Sequence, residues 1–195
     1  MNSRERVHRA VNFQIPDRVP IDLGGMKASG IAVSAYARLQ KKLGLPGVAR
    51  VLDTRFMIAV VEETVRQRFH LDIVPLDWST VFSAIQPDSK WIPHRLHDGT
   101  EGLFPPDTRI QTEPDGSWVL LDARGVLTAY RMPKGGFYFD DTAFNRGGGI
   151  RPDKFKPVDS IPDEQLKVFS QYARHLYEST EWFATGRDDR PRFMG

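Results

Sequence analysis

The chain has 195 residues, of which 40% are hydrophobic and 27% charged, a composition typical of a globular protein. Its 27 basic and 25 acidic residues are scattered and give a net charge of +2, which offers no argument for a nucleic-acid partner or an anionic membrane. The absence of cysteine excludes disulfides and thiolate metal sites within the chain and favours a cytoplasmic location. No apolar run is long enough to span a bilayer.

The chain begins with a predicted helix and a predicted strand. Residues 3–13 place apolar side chains on one helical face, and Ser3 is in position to cap the helix. The segment RVPIDL, residues 18–23, is apolar enough for a short strand, and the glycine pair at 24–25 ends it.

Two further helices and a second strand follow. The periodicity predicts one helix over about 30–43, which Gly44 ends, and another over about 54–69. The second of these leads into LDIVPLDW, residues 71–78, whose apolar run predicts a short buried strand interrupted by Pro75.

The middle of the chain, about 87–152, is rich in proline and glycine. TRIQTE (108–113) and SWVLLD (117–122) flank a Pro-Asp-Gly turn and predict a hairpin, with VLTAYR (126–131) as a third strand. We expect a small antiparallel insertion here and not a separate domain, because so few strand residues build too little core to stand alone.

The last predicted elements are a helix and a strand. Residues 162–179 form an amphipathic helix capped by Ser160, and EWFATG (181–186) is the strand after it. Strands separated by long helices pair in parallel through right-handed crossovers. The sequence therefore predicts an α/β fold, a partial (β/α)8 TIM barrel with an antiparallel β-hairpin insertion.

The predicted barrel is incomplete. Only about three parallel strands are recognisable, whereas a closed barrel of this kind has about eight. The strand at 181–186 would keep an unpaired edge, which soluble proteins rarely tolerate. We therefore expect residues 1–195 to be the N-terminal part of a single truncated barrel domain, inactive and marginally stable alone.

Several segments resemble the uroporphyrinogen decarboxylase superfamily in the same order. They are NSRERVHRAVNFQIPDRVPIDLGG (2–25), SAYARLQKKLGLP (34–46), VLDTRFMIAVVEETVRQRFHLDIVPL (51–76) and YRMPKGGFYFD (130–140). The branch they resemble most contains decarboxylase-like proteins and corrinoid-dependent methyltransferases. The resemblance implies a (β/α)8 barrel with its chemistry at the C-terminal ends of the strands.

Two reactions share that scaffold in the family. The decarboxylases remove acetate carboxyls from a tetrapyrrole without a cofactor, and the methyltransferases move a methyl group between a corrinoid protein and a thiol with the help of zinc. The decarboxylases hold substrate carboxylates with an arginine-rich motif after the first strand. Here VPID is followed by LGGMKASG, which contains no arginine, and Lys27 supplies only a point charge. This difference favours the methyltransferase branch.

The resemblance and the positions of the predicted strand ends together indicate the candidate site residues. The family's essential aspartate, which binds pyrrole N–H groups, corresponds best to Asp77 and more weakly to Asp72. Asp22 also falls at a predicted strand end, so Asp22 and Asp77 are the candidate catalytic carboxylates, although each could instead cap a turn. The backbone of Gly24 and Gly25 could approach a substrate carboxylate, or it could only form a tight turn.

Three other features favour structural roles over functional ones. His94 and His97 lack a third ligand and are expected to be solvated. The cluster at 135–139 could cover a pocket but more often packs an insertion onto its domain. The glycines at 147–149 lack the spacing of a nucleotide-binding loop. We expect no metal site in this chain; zinc and a corrinoid would belong to the full-length parent.

The resulting functional hypothesis is the N-terminal part of an enzyme that transfers methyl groups to a thiol with a corrinoid and zinc. One alternative is cofactor-free uroporphyrinogen decarboxylation, with substrate carboxylates held by Lys27 or Arg18. Another is binding of a tetrapyrrole or corrinoid without catalysis. The expected partner is a small tetrapyrrole or a methylated corrinoid protein, and the pattern says nothing of oligomeric state.

Overall fold

The computed structural model describes residues 1–77, 81, 90–142 and 162–187. They fall into two compact units. Unit 1 is built from Met1–Ile31, Ala59–Gln86 and Ile161–Arg190, and unit 2 mainly from Ala32–Ile58 and Pro87–Ser160. Unit 1 is therefore discontinuous in sequence.

The described residues contain the following helices and strands. The helices are α1 (Ser3–Val11), α2 (Val33–Leu43), α3 (Glu63–Arg68) and α4 (Asp163–Ser179). The strands are β1 (Val51–Asp53), β2 (Ile58–Ala59), β3 (Ile73–Asp77), β4 (Ile92–Arg95), β5 (Glu101–Phe104), β6 (Ile110–Thr112), β7 (Trp118–Leu121), β8 (Leu127–Met132), β9 (Asp140–Asp141) and β10 (Phe183–Arg187).

Helix α1 begins with a reciprocal capping box. The side chain of Asn2 accepts a 2.9 Å hydrogen bond from the backbone N–H of Glu5, and the Glu5 carboxylate accepts one of 3.1 Å from the N–H of Asn2. The N-cap is therefore Asn2, and the prediction of Ser3 was wrong by one residue. Val7 and Arg6 form the buried side of the helix.

The central feature of unit 1 is the parallel pair of β3 and β10. Their register runs from Phe183 opposite Ile73 to Arg187 opposite Asp77. Both strands and their parallel pairing were predicted from the sequence and are confirmed. The backbone of Asp72, which precedes β3, forms hydrogen bonds with two other segments. Its N–H donates to the Ile21 carbonyl at 2.9 Å, and its carbonyl accepts from the N–H of Phe183 at 2.8 Å.

Unit 2 is mainly antiparallel. Strands β6, β7, β8 and β9 pair in that order, and β4 pairs with β5. The predicted hairpin and third strand are confirmed, with Gly116 in the left-handed region (φ +80°) at the first turn. The core contains large side chains that are at most 1% exposed, namely Tyr36, Phe104, Met132 and Phe139.

The predicted barrel is wrong. Among the described residues only β3 and β10 pair in parallel as strands, and the other strands form small sheets that are mostly antiparallel. A (β/α)8 barrel needs a continuous ring of parallel strands, and the described residues of neither unit contain that pattern. The prediction inferred a whole ring of parallel strands where the described residues contain one parallel pair. It also included a strand that does not form.

Two predicted elements account for much of that error. Residues 18–23 form no strand, and Val19 is 79% exposed. The helix predicted over 54–69 is interrupted by Met57, whose backbone is left-handed (φ +54°), and only its last part forms α3. The C-terminal ending of α2 at Gly44 (φ +67°) is confirmed.

Several predictions fall outside the described residues. They concern the cap at Ser160, the glycines at 147–149 and the last residue of the strand at 71–78. Within the part of the chain that is described, no helix combines the length and the apolar character needed to cross a bilayer.

Candidate functional site

Asp77 is the last residue of β3, at the carboxyl end of a parallel pair. In open α/β sheets, ligands bind outside the carboxyl ends of the strands. Asp77 is only 4% exposed, although most aspartates lie at the surface. A buried carboxylate at this position is the feature of unit 1 that most resembles a functional site.

Tyr172 is a second titratable group near this end of unit 1. Burial raises the pKa of the Tyr172 hydroxyl, the Arg66 guanidinium opposes this effect, and the Asp77 carboxylate raises the pKa further. The phenol therefore stays protonated over the physiological range and can donate a hydrogen bond. The sequence placed Tyr172 on the apolar face of α4, and no local pattern distinguishes it from a core residue.

Asp22, Gly24 and Gly25 form one tight turn. The Asp22 side chain accepts a 2.7 Å hydrogen bond from the N–H of Gly25. The N–H of Gly24, a residue in the left-handed region (φ +83°), donates to the Ser29 carbonyl at 2.9 Å. These bonds use the two glycine N–H groups that were candidates for binding a substrate carboxylate, so the geometry fits the turn interpretation.

The turn is packed tightly against the parallel pair. A Cβ on Gly25 would lie 2.4 Å from Cγ2 of Ile73 in β3, and the Thr185 hydroxyl of β10 donates to the Gly25 carbonyl. Only glycine can approach the strand this closely. Lys27 begins the short 3-10 turn Lys27–Ser29 that follows, and it is half-buried.

Asp72 lies at the opposite end of β3 from Asp77 and is fully buried. It accepts hydrogen bonds from the Ser3 hydroxyl (2.8 Å), the Arg6 guanidinium (2.6 Å), the Arg18 guanidinium (2.6 and 2.9 Å) and the N–H of Ile21 (2.8 Å). Burial alone would raise the pKa of Asp72, but these hydrogen bonds together lower it.

The residues that bind Asp72, directly or through Arg6, include part of the segment PDRVP (residues 16–20). Arg6 forms a second ion pair with Asp17, at 2.6 Å, and Arg18 binds Asp72 and the carbonyl of His70. Arg18 is thus already held by a buried carboxylate and is poorly placed to grip a substrate. The motif that contributed to the family resemblance connects the start of the chain to β3.

The six predicted site residues do not form one cluster. Asp22, Gly24, Gly25 and Lys27 share one loop, which contacts the β3–β10 pair. Asp72 and Asp77 flank the strand and are five residues apart, roughly 17 Å along an extended chain. Only Asp77 combines burial with the strand-end position of a ligand site.

The histidines of unit 2 are half-buried and not fully solvated as predicted. The His94 ring stacks on Trp118 at a centroid distance of 4.9 Å, and His97 contacts the same indole at 4.1 Å. Burial lowers the pKa of His94, and the neighbouring His97 lowers it further. Among the described residues no group of three His, Cys, Asp or Glu side chains could hold a metal ion.

The comparisons with known proteins return no match. No family model matches the chain, and neither the curated proteins nor the solved structures contain a significant relative.

Proposed function

We propose that this chain supplies the Asp77 end of a binding site for a tetrapyrrole-type ligand, in a protein of the uroporphyrinogen decarboxylase superfamily. The observation that carries the proposal is the buried carboxylate of Asp77 at the carboxyl end of β3. It is supported by the sequence LDIVPLD, in which Asp77 corresponds best to the family's essential aspartate and Asp72 corresponds more weakly.

The chemistry of Asp77 fits such a ligand. The pyrrole rings of a porphyrinogen present N–H donors, and a carboxylate is an acceptor that can bind two of them at once. A buried carboxylate also stabilises positive charge that develops on the ring more strongly than an exposed one would. Tyr172, kept protonated, is a further hydrogen-bond donor in the same unit.

Methyl transfer to a thiol is the reaction we favour for the parent protein. Uroporphyrinogen decarboxylation is the second candidate, and the loop LGGMKASG argues against it because no arginine is present to hold the substrate carboxylates. The described residues offer no zinc site, so no step is assigned to zinc here. We also propose that the protein is located in the cytoplasm.

Ligand binding by the full chain tests the proposal. Uroporphyrin, a stable oxidised relative of the porphyrinogen, and hydroxocobalamin are titrated separately and followed by absorbance. We expect saturable binding of at least one of them. Asp77→Asn should weaken the binding of uroporphyrin about tenfold or more, because its pyrrole N–H groups can donate a charge-assisted hydrogen bond, which contributes about 1.5–3 kcal/mol.

The matched control is Asp107→Asn, which removes an exposed carboxylate of unit 2. It should leave the affinity unchanged, and circular dichroism must show that both variants are folded. If Asp77→Asn does not fold, Asp77→Glu keeps the charge and should bind with intermediate affinity. Absence of saturable binding, or equal affinity in the wild type and Asp77→Asn, would rule the proposal out.

A separate assay distinguishes the two reactions. The full-length parent protein is incubated with methylcobalamin, zinc and a thiol, and in parallel with uroporphyrinogen. A methylated thiol that depends on Asp77 supports the favoured reaction, and release of carbon dioxide supports the second. Binding without either product would leave ligand binding as the activity of this chain.

A further inference from the structure

Unit 1 also contains an open groove of about 750 Å³ that none of the predicted site residues lines. Helices α1 and α4 supply its sides, and the start of β10 contributes to its floor. Leu76 lines the groove, and its neighbour Asp77 leaves the same strand on the opposite face. The groove is thus distinct from the site at Asp77.

The α1 side of the groove is positively charged. Arg9 is exposed, and no carboxylate among the described residues pairs with it. The one acidic side chain at the groove, Glu5, is held by the capping box through the N–H of Asn2. Arg9 is therefore the cation that could pair with a bound anion, and Glu5, four residues away on α1, offsets part of its charge without forming an ion pair with it.

Arg4 has a different role in the groove. Its guanidinium donates to the carbonyls of Leu176, Tyr177, Thr180 and Trp182, at the C-terminal end of α4 and in the following turn. It also lies 4.4 Å from the centroid of the Tyr177 ring. Arg4 thus fixes the geometry of the groove, and Arg9 is the side chain available to a ligand.

The opposite side of the groove is aromatic. Tyr177, Trp182 and Phe183 line it, and Tyr177 is 71% exposed although it is a large side chain. Trp182 and Phe183 are half-buried, so Tyr177 is the exposed ring of this side, and an exposed aromatic ring beside a cation can stack a flat ring and pair its charge. The volume lies within the range of about 300–1,000 Å³ of small-molecule sites.

We propose that this groove binds a small aromatic anion, a carboxylate, sulfonate or phosphate carried on one to three fused or linked rings. The rings pack against Tyr177 and Trp182, and the anionic group pairs with Arg9. The site does not depend on the proposed function, because its residues are separate from Asp77.

The probe for this site is anilinonaphthalene sulfonate, followed by fluorescence with the full chain. Its neutral relative phenylnaphthylamine has the same rings without the sulfonate and isolates the contribution of the charge. Arg9→Gln should weaken sulfonate binding about two- to fivefold and leave the neutral probe unchanged, because an exposed ion pair contributes about 0.2–1 kcal/mol. Added salt should reproduce this loss.

Two variants test the aromatic side. Tyr177→Ala should weaken both probes about two- to tenfold, the value expected for a lost aromatic contact. Ala173→Trp should block both by filling the groove. Arg109→Gln, which removes an exposed arginine of unit 2, is the matched control and should change neither.

The outcomes separate this proposal from the preceding one. If Arg9→Gln affects both probes equally, or if Tyr177→Ala and Ala173→Trp affect neither, the dyes bind elsewhere and the inference is wrong. Asp77→Asn should leave dye binding unchanged, so a failure to bind tetrapyrroles does not affect the groove.

Discussion

Arg6 and Asp72 are 66 residues apart in sequence and form a buried ion pair with a 2.6 Å separation between Nη1 and Oδ1. The side chain of Asp72 is fully buried, and that of Arg6 is 8% exposed. Because both charged groups are removed from water, each is stabilised by the hydrogen bonds and the opposite charge of the other. The pair attaches α1 to the start of β3.

Asp72→Asn should strongly destabilise unit 1. The substitution keeps the shape of the side chain but removes the charge that binds Arg6 and Arg18, while Arg6 keeps its ion pair with Asp17. Removing one partner of a buried pair lowers the free energy of unfolding by about 3–5 kcal/mol, and the remaining pair with Asp17 should place the loss at the lower end of that range. Urea unfolding followed by circular dichroism measures the loss, and Asp107→Asn should unfold like the wild type.

Acid should weaken the same cluster over a defined range. The hydrogen bond from Arg6 holds the pKa of Asp17 at about 2, below its ordinary value of 3.8. A carboxyl group whose pKa is lowered in the folded state stabilises that state at pH values above its ordinary pKa. This stabilisation is lost as the pH falls through 2. Thermal melts between pH 5 and 2 should show this decline, and Asp17→Asn should make it shallower.

Gly25→Ala should disrupt the turn at Asp22. The added Cβ would lie 2.4 Å from Cγ2 of Ile73 and 2.5 Å from Oδ1 of Asp22. Such overpacking destabilises a protein by about 1–3 kcal/mol. Gly102→Ala is the matched control: its Cβ would meet Phe104 at an ordinary 3.5 Å, so its melting temperature should be unchanged or slightly higher.

Unit 2 should lose stability in mild acid through His94. Because burial and His97 lower the pKa of His94, the unfolded chain takes up a proton before the folded one does as the pH falls below 6.5. His94→Phe keeps a ring against Trp118 and should reduce the decline in melting temperature between pH 7 and 5. His175→Gln, at an exposed position of α4, should not change it.

Local pattern was sufficient for the elements whose stability is mainly local. Helix α4 and the β6–β7 hairpin were predicted from an apolar stripe and a Pro-Asp-Gly turn, and both form. The strand at 18–23 was predicted from the same kind of signal, but Ile21 bonds to Asp72 without a ladder and Val19 faces solvent. Apolar composition indicates a strand only where a neighbour covers it.

The site was only partly predictable for a related reason. The end of β3 was visible in the sequence, so Asp77 could be nominated. The burial of Asp72 could not, since it depends on two arginines that are 54 and 66 residues away. Tyr172 owes its shifted pKa to groups on other elements, and no spacing within α4 reveals it.

The contacts of Arg4 have a consequence for the order in which the chain folds. During synthesis the Trp182 carbonyl that Arg4 binds is made 178 residues after Arg4 itself. Unit 1 must therefore wait until α4 and β10 have been made, whereas the hairpins of unit 2 can pair as soon as they emerge.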